Sequence, residues 1–222
     1  YSPASTSSSA PVSCAGGSNG TATATMVPAI GTVTYLWNDA NAQTTQTATG
    51  LPAGTYTCIM TSSLGCVLTK TVVVTEIPGI ITSITNQQDV TCNSKNDGIA
   101  QVTATQGTAP YTYMWGQSSA ANNTNTANDL AAGQHTVIVT DALGCTSSQT
   151  FTLSEPAPLA ITFMTPDSTI CPESTLDLTV NVSGGSSQYG YEWFTGGAPI
   201  GTTQTITVDP DISATQYCVV VS

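Results

Sequence analysis

Short runs in which polar and apolar residues alternate at every second position fill most of this chain. Such alternation is typical of antiparallel strands with one buried and one solvent-exposed face. Turn residues such as Asn19-Gly20 and Leu64-Gly65 separate the runs, and short strands at this spacing favour a β-sandwich. The pattern predicts strands at Thr21–Val27, Val33–Trp37, Tyr56–Met60 and Val67–Thr75, and again at Gly98–Thr105, Tyr111–Trp115, His135–Thr140 and Thr146–Leu153.

The pattern repeats along the chain. Three cysteines and three tryptophans mark the period: Cys14, Cys92 and Cys171, with Trp37, Trp115 and Trp193. The cysteines are 78 and 79 residues apart and the tryptophans 78 and 78. This period is too long for a solenoid turn and fits a small domain repeated in tandem. We therefore predict an all-β chain of tandem Ig-like antiparallel sandwiches arranged as beads on a string, with the tryptophans as core anchors.

Proline-containing segments indicate where one domain ends and the next begins. Thr75–Pro78 closes the first copy and Ser154–Pro158 the second, and proline stiffens such junctions. We predict a linker or tail at 1–10, repeats at 11–78 and 79–157, and a diverged domain at 158–222.

The third copy departs from the other two at its end. Aligning Gln216–Val220 with Tyr56–Met60 makes Ser222 equivalent to Ser62, which leaves no residues for a last strand. A sandwich without its last strand exposes an open edge that must be covered. Either the native chain continues past Ser222, which we favour, or a neighbouring molecule donates the strand.

Charge and cysteine content narrow the functional classes. The chain has two lysines, no arginine and a net charge of −11, so binding to nucleic acid or docking to an anionic membrane is disfavoured. Seven cysteines at repeated spacings, with one histidine, indicate disulfides instead of a metal site. Disulfides place the chain outside the reducing cytosol. No apolar run is long enough to span a membrane.

Candidate chemistry is sparse. His135 takes the position that Tyr56 has in the first copy, so packing is a better interpretation than catalysis. Asp209-Pro210-Asp211 could bind calcium weakly, although a solvated turn is the better interpretation. No catalytic residue, metal site or cofactor is predicted, and nothing points to an enzyme.

Three elements resemble a known repeat. Val12-Ser13-Cys14 precedes Asn19-Gly20, Tyr35-Leu36-Trp37 follows, and Leu51–Tyr56 leads to Gly65-Cys66; the second copy has Val90–Cys92, Tyr111–Trp115 and Val139–Cys145. These elements resemble the SprB-type repeat of large Bacteroidetes cell-surface proteins, the family of the gliding adhesin exported by the type IX secretion system. The third copy is more similar to the Ig-like domains that accompany such repeats. The resemblance implies an extracellular, cell-surface location.

The cysteine pairing has two solutions. Equal spacings of 52 from Cys14 to Cys66 and 53 from Cys92 to Cys145 suggest one bridge inside each repeat. An Ig-type sandwich instead has its first turn and last hairpin at opposite ends, which would pair Cys14 with Cys145. We favour the bridges within repeats. Cys58 is predicted to be a buried, unpaired thiol, and Cys171 to pair either with Cys218 or with a later Gly-Cys.

We therefore predict a non-enzymatic stalk or spacer of a large repetitive surface adhesin, acting in gliding or surface attachment. Its partners would be neighbouring modules or identical subunits, with surface glycans or substrata as further contacts. The alternative is a subunit of an extracellular filament assembled by strand donation into the incomplete third domain. A carbohydrate-binding module is a third hypothesis, although no exposed aromatic row is evident.

Overall fold

A computed structural model describes residues 3–29, 31–116, 123–163, 165, 171, 174–186, 188–209 and 216–222. The regular structure of these residues consists of eighteen strands. Every strand pairing whose register is resolved is antiparallel. The predicted all-β fold of Ig-like antiparallel sandwiches is confirmed.

The strands fall into three consecutive groups of six. The first comprises β1 (Ala4–Ala10), β2 (Gly20–Val27), β3 (Val33–Trp37), β4 (Thr47–Leu51), β5 (Gly54–Ser62) and β6 (Val67–Val74). The second comprises β7 (Ile81–Gln88), β8 (Gly98–Thr105), β9 (Thr112–Trp115), β10 (Thr126–Leu130), β11 (Gly133–Thr140) and β12 (Thr146–Leu153). The third comprises β13 (Ala160–Phe163), β14 (Leu176–Ser183), β15 (Tyr191–Thr195), β16 (Ala198–Gly201), β17 (Thr205–Val208) and β18 (Tyr217–Val221).

Each group forms two three-stranded sheets. The first group has orders β1-β2-β4 and β3-β5-β6, and the second repeats them as β7-β8-β10 and β9-β11-β12. The third has β13-β14-β17 and β16-β15-β18. In this last sheet β16 adds a strand beside β15. No strand in the described part of the chain pairs with the other edge of β18.

Alternation in the sequence builds the core as predicted. In β2 every second residue from Gly20 to Met26 is buried, and the threonines between them are partly exposed. These small side chains leave room for Trp37, which is 2% exposed. The core of the first group consists of Val12, Ala22, Ala24, Met26, Trp37, Ala48, Leu51, Cys58, Met60, Val72 and Val74.

The segment predicted as a tail at 1–10 is a strand from Ala4 onward, which corrects the prediction. β1 pairs with β2 in continuous register from Ala4↔Val27 to Ala10↔Thr21. Its side chains are mostly exposed, so it shows no apolar alternation. Backbone hydrogen bonds to the edge of β2 define this strand, and the residue pattern does not reveal them.

The alignment of the third group needs a correction of one residue. Trp37 lies opposite Cys58, and Trp193 lies opposite Val219. Val219, not Cys218, is therefore equivalent to Cys58, and Ser222 is equivalent to Thr61. Because a shift of one residue reverses the face of a strand, Cys218 is exposed and cannot face a core cysteine.

The chain divides into two compact units. The first comprises Tyr1–Thr85, Gln101–Thr126 and Thr136–Phe151, and the second Asn86–Ala100, Ala127–His135 and Thr152–Ser222. The first unit contains the core of β1–β6. The second contains the core of the third group, in which Val180, Trp193, Ile206 and Val208 are buried. Domain edges at 78 and 157 remain predictions.

We expect Gly20→Ala to destabilise the first unit by about 1–3 kcal/mol, because the new methyl would overpack the core. A Cβ at Gly20 would lie 2.5 Å from Cγ1 of Val74 and 2.8 Å from the carbonyl oxygen of Leu51. Gly54→Ala is the matched control, since its Cβ meets only Tyr56 at an ordinary 3.6 Å. Urea unfolding followed by tryptophan fluorescence measures both, and equal midpoints would contradict the close approach at Gly20.

Candidate functional site

The turn that carries Cys14 is fixed by backbone and carboxylate contacts. The Val12 N–H donates to the Thr75 carbonyl at 2.8 Å, and the Ile77 N–H donates back to Val12 at 3.1 Å. The Gly16 N–H donates to Glu76 Oε2 at 3.0 Å. These contacts hold the turn that carries Cys14 against the residues that follow β6.

The hairpin that carries Cys145 is organised by Asp141. Its Oδ1 accepts the backbone N–H groups of Leu143 and Cys145, both at 2.9 Å. Its Oδ2 accepts the N–H of Thr108 at 3.0 Å, and the Thr108 carbonyl accepts the N–H of Ala142 at 2.9 Å. One carboxylate therefore closes the hairpin and attaches it to the loop before β9.

A disulfide joins the two elements. Cys14 and Cys145 are bridged with a Cα–Cα distance of 5.6 Å across 131 residues of sequence. The Cys145 Sγ also lies 3.2 Å from the Ser13 carbonyl oxygen. Both cysteines belong to the first compact unit.

The favoured pairing within repeats is wrong, because Cys66 and Cys92 are free. The turn that carries Cys14 lies beside Glu76, after the end of β6, and Cys66 lies just before the start of β6. An eight-residue strand is about 26 Å long at about 3.3 Å per residue, and cysteine Cα atoms must approach within about 7 Å to be bridged. The second pairing considered, Cys14 with Cys145, is the one present.

Each tryptophan is anchored in the same way, which sequence reasoning missed. The indole N–H groups of Trp37, Trp115 and Trp193 donate to the carbonyls of Thr45, Thr124 and Thr203 at 2.9, 2.9 and 2.7 Å. Each of these threonines begins a Thr-Gln-Thr or Thr-Asn-Thr triplet, and the triplets recur 79 residues apart. The three tryptophans are at most 3% exposed. Their rings are therefore unavailable for stacking on a sugar.

The family comparison matches the part of each copy that contains the first strand, the cysteine turn and the tryptophan strand. Residues 6–42 and 84–120 match the model of the SprB repeat. The first two groups of strands are therefore similar to the SprB repeat over these residues, and they are called the first and second SprB repeats after it. Such repeats occur in cell-surface adhesins of Bacteroidetes. No curated protein matches the chain.

Several solved structures are similar to the chain at low identity. The three N-terminal domains of the outer capsid protein Hoc of bacteriophage RB49 are 18% identical, cover 91% of this chain and 80% of their own, and give a TM-score of 0.49. Immunoglobulin domains 1–5 of Sidekick-1 are 13% identical, with 99% and 56% covered and a TM-score of 0.34. A C-terminal fragment of intimin in complex with its translocated receptor is 13% identical, with 72% and 67% covered and a TM-score of 0.35.

The two SprB repeats use different residues for the same contact. Tyr56 donates its hydroxyl to the Pro52 carbonyl at 2.9 Å, and His135 lies 2.8 Å from the Ala131 carbonyl with 2% of its surface exposed. Ser62 accepts the Cys66 N–H at 3.1 Å, where the second repeat has Asp141. His135 and Asp141 thus make, in the second repeat, the contacts that Tyr56 and Ser62 make in the first.

The remaining cysteines differ in solvent exposure. Cys58 is fully buried opposite Trp37, and burial raises the pKa of its thiol. Cys92, Cys171 and Cys218 are exposed, and Cys66 is half-buried. The proposed pair of Cys171 with Cys218 is not formed. Cys58 therefore lies in the core, whereas the other four thiols lie at or near the surface.

A metal site is not found in the part of the chain that the structure describes: no group of three or more His, Cys, Asp or Glu side chains could hold an ion. Of the candidate calcium turn, Asp209 is described and exposed, and Pro210 and Asp211 lie outside the described residues. Among the described residues, no helix is long and apolar enough to cross a membrane.

We expect peptide mapping without reduction to find Cys14 joined to Cys145. Cys14→Ser should lower the free energy of unfolding by about 3–5 kcal/mol, because the open chain regains loop entropy. Cys92→Ser removes an exposed free thiol and is the matched control, with a change within about 0.5 kcal/mol. A peptide joining Cys14 to Cys66 would overturn the assignment.

Asp141 should make the fold sensitive to acid. Burial raises the pKa of its carboxyl, and the N–H groups of Thr108, Cys145 and Leu143 more than offset this, so the pKa lies below the ordinary value of 3.8. A depressed folded-state pKa stabilises the fold above pH 3.8, and this contribution is lost as the pH falls through the folded value. Asp141→Ala should therefore lower the melting temperature at pH 7, and by less as the pH falls further below 3.8.

Asp141→Ser is the matched variant, because Ser62 closes the equivalent hairpin with a hydroxyl. It should retain more of the melting temperature at pH 7 than Asp141→Ala while losing the same pH dependence. Glu192→Gln removes an exposed charge in β15 and controls for net charge. An Asp141→Ala effect that stays constant between pH 7 and pH 2 would contradict the role given to the carboxylate.

Proposed function

We propose that this chain is a non-enzymatic stalk segment that transmits tension in a large repetitive adhesin of the bacterial cell surface. The observation that carries this proposal is the bridge from Cys14 to Cys145, which encloses strands β2–β11 in one covalent loop. SprB repeats in surface adhesins support the location. Gliding or surface attachment, and export by type IX secretion, are the finer parts of the proposal.

The covalent path explains why such a bridge suits a stalk. A force on the two ends of the chain passes along β1 to Cys14, crosses the sulfur–sulfur bond and leaves Cys145 into β12. The residues between the two cysteines lie outside this covalent path. Strands β2–β11 are therefore shielded from end-to-end stretching, whereas β1 and β12, which pair with β2 and β11, remain in the path of the force.

What recurs along the chain also supports a structural role. The contacts that return in the second repeat are the indole bond to a threonine carbonyl, the glutamate on the cysteine turn and the closed hairpin before the last strand. None of these groups is a nucleophile poised beside a base. We propose that domains at 11–78, 79–157 and 158–222 serve as spacers, and that their partners are neighbouring modules, with surface glycans or substrata contacted elsewhere.

The filament hypothesis has one observation in its favour, the edge of β18 that no described strand covers. The N-terminal segment is a poor candidate donor strand, because β1 already pairs with β2 of the same chain and lacks alternating apolar residues. Native sizing separates the hypotheses: discrete monomers contradict the filament, and polymers contradict the simple spacer.

Force spectroscopy tests the proposed role directly. We expect the oxidised chain, pulled from both ends, to release less contour length than the reduced chain. The hidden length is about 46 nm, because 131 residues separate the bridged cysteines and each extended residue spans about 3.5 Å. Cys66→Ser keeps the bridge and is the control. Equal contour lengths with and without reductant would overturn the proposal.

A further inference from the structure

The free thiol of Cys92 lies in a turn built like the turn of bridged Cys14. The Val90 N–H donates to the Ser154 carbonyl at 3.0 Å, as Val12 does to Thr75. The Ser94 N–H donates to Glu155 Oε2 at 2.5 Å, as Gly16 does to Glu76. The same position is therefore oxidised in the first SprB repeat and reduced in the second.

The structure beyond Cys92 also copies the structure beyond Cys14. The Gly185 N–H donates to the Ala157 carbonyl at 2.8 Å, where Gly107 donates to Pro78 at 3.1 Å. Tyr189 donates its hydroxyl to the Gly184 carbonyl, and Tyr111 donates to Gln106, both at 2.5 Å. All residues of the Cys92 junction belong to the second compact unit, and all those of the Cys14 junction to the first.

The hairpin that carries Cys145 at the first junction has no counterpart among the described residues of the Cys92 junction. A cleft of about 380 Å³ lies beside Cys92 instead. Cys92, Ser186, Tyr189 and Ser222 are among its lining residues. Ser186 is equivalent to Thr108, whose backbone holds the Asp141–Cys145 hairpin at both its N–H and its carbonyl.

The register identifies which segment would fill the cleft. Ser222 exchanges both backbone hydrogen bonds with Gly190, at 2.8 and 3.1 Å, directly after the pair Tyr191↔Val221. Thr140, paired with Thr112, directly follows the equivalent pair Tyr113↔Val139. Ser222 thus corresponds to the residue that enters the Asp141–Cys145 hairpin in the second repeat.

We propose that Cys92 is one half of a second disulfide between successive domains, and that its partner is the cysteine of a Gly-Cys hairpin of the Asp141–Cys145 type seated in this cleft. The proposal adds a covalent partner site to the proposed stalk. Its failure would leave the Cys14–Cys145 bridge, and hence the proposed function, untouched.

Bond formation needs an oxidant, for which we name a small-molecule disulfide such as oxidised glutathione. The Cys92 thiolate attacks one sulfur of oxidised glutathione and releases reduced glutathione. The hairpin thiolate then attacks the Cys92 sulfur of the mixed disulfide and releases a second reduced glutathione. Two thiols lose two protons and two electrons, and the glutathione disulfide gains both.

Cys66 corresponds to the other half of such a bridge. Its hairpin matches that of Cys145: the Ser62 N–H donates to the Cys66 carbonyl at 2.9 Å, as Asp141 does to Cys145 at 2.9 Å. Cys66 is free and half-buried.

The test copies the segment Asp141–Leu153 after Ser222 of the full chain and oxidises the product with oxidised glutathione. We expect peptide mapping to join Cys92 to the appended cysteine, and this cross-link to be lost in Cys92→Ser. Cys171→Ser is the matched control and should keep it. An appended cysteine that pairs with Cys171 or Cys218, or that carries only glutathione, would overturn the proposal.

A second measurement uses the unextended chain, so the result does not depend on folding of the appended strand. A peptide with the sequence of Thr140–Leu153, activated at its cysteine as a thiopyridyl disulfide, should modify Cys92 about tenfold faster than Cys171 or Cys218, because docking raises its local concentration. A scrambled peptide is the control. Equal rates at the three thiols would show that the cleft does not recognise the hairpin.

Discussion

The first compact unit depends on one covalent bond between the turn before β2 and the hairpin after β11. Contacts that do not involve the two sulfurs hold each element within its own repeat. Glu76 and the Val12 backbone fix the turn, and Asp141 fixes the hairpin to Thr108. The two loops meet with their Cα atoms 5.6 Å apart, within the range that a disulfide requires. The Gly107–Pro78 contact supports the same arrangement from the linker.

The repeats preserve contacts while exchanging the chemistry of the groups that make them. Tyr56 and His135 contact equivalent backbone carbonyls, and Ser62 and Asp141 close equivalent hairpins. A catalytic site could not tolerate such exchanges, because its pKa values and nucleophiles must be matched to the reaction. A scaffold can, because only the position of a donor or acceptor matters. The variation between copies is thus itself an argument that these residues are structural.

The features that follow from the alternation of polar and apolar residues and from the repeat period could be predicted from the sequence. Strands such as β2 and β11, the buried tryptophans and the SprB repeat follow directly from residues at fixed spacings. β1 was not predicted because backbone pairing with β2 stabilises it. Its serine and threonine side chains are mostly exposed and show no alternation. The face of Cys218 escaped because a one-residue shift in a short apolar run, Tyr217–Val221, leaves its composition almost unchanged. The cysteine pairing was predicted wrongly because equal spacings show only that a cysteine recurs in each copy. They do not show which copy supplies the partner of a given cysteine.

The entropy of loop closure differs little between the two possible pairings, so their main difference is the path that a pulling force takes. By the chain-entropy relation, a bridge across 131 residues stabilises by about 5 kcal/mol, and one across the 52 residues from Cys14 to Cys66 by about 4 kcal/mol. A chain in which each domain is bridged to the next has as many disulfides per domain as a chain with one bridge inside each domain. The two arrangements therefore differ little in the free energy of unfolding. The path of force differs completely. A bridge within a repeat leaves the junction after β6 to carry tension through a single backbone, whereas the bridge from Cys14 to Cys145 spans that junction covalently. The choice of partner therefore changes mainly the way force crosses from one repeat to the next, and it changes the stability gained from the bond by only about 1 kcal/mol.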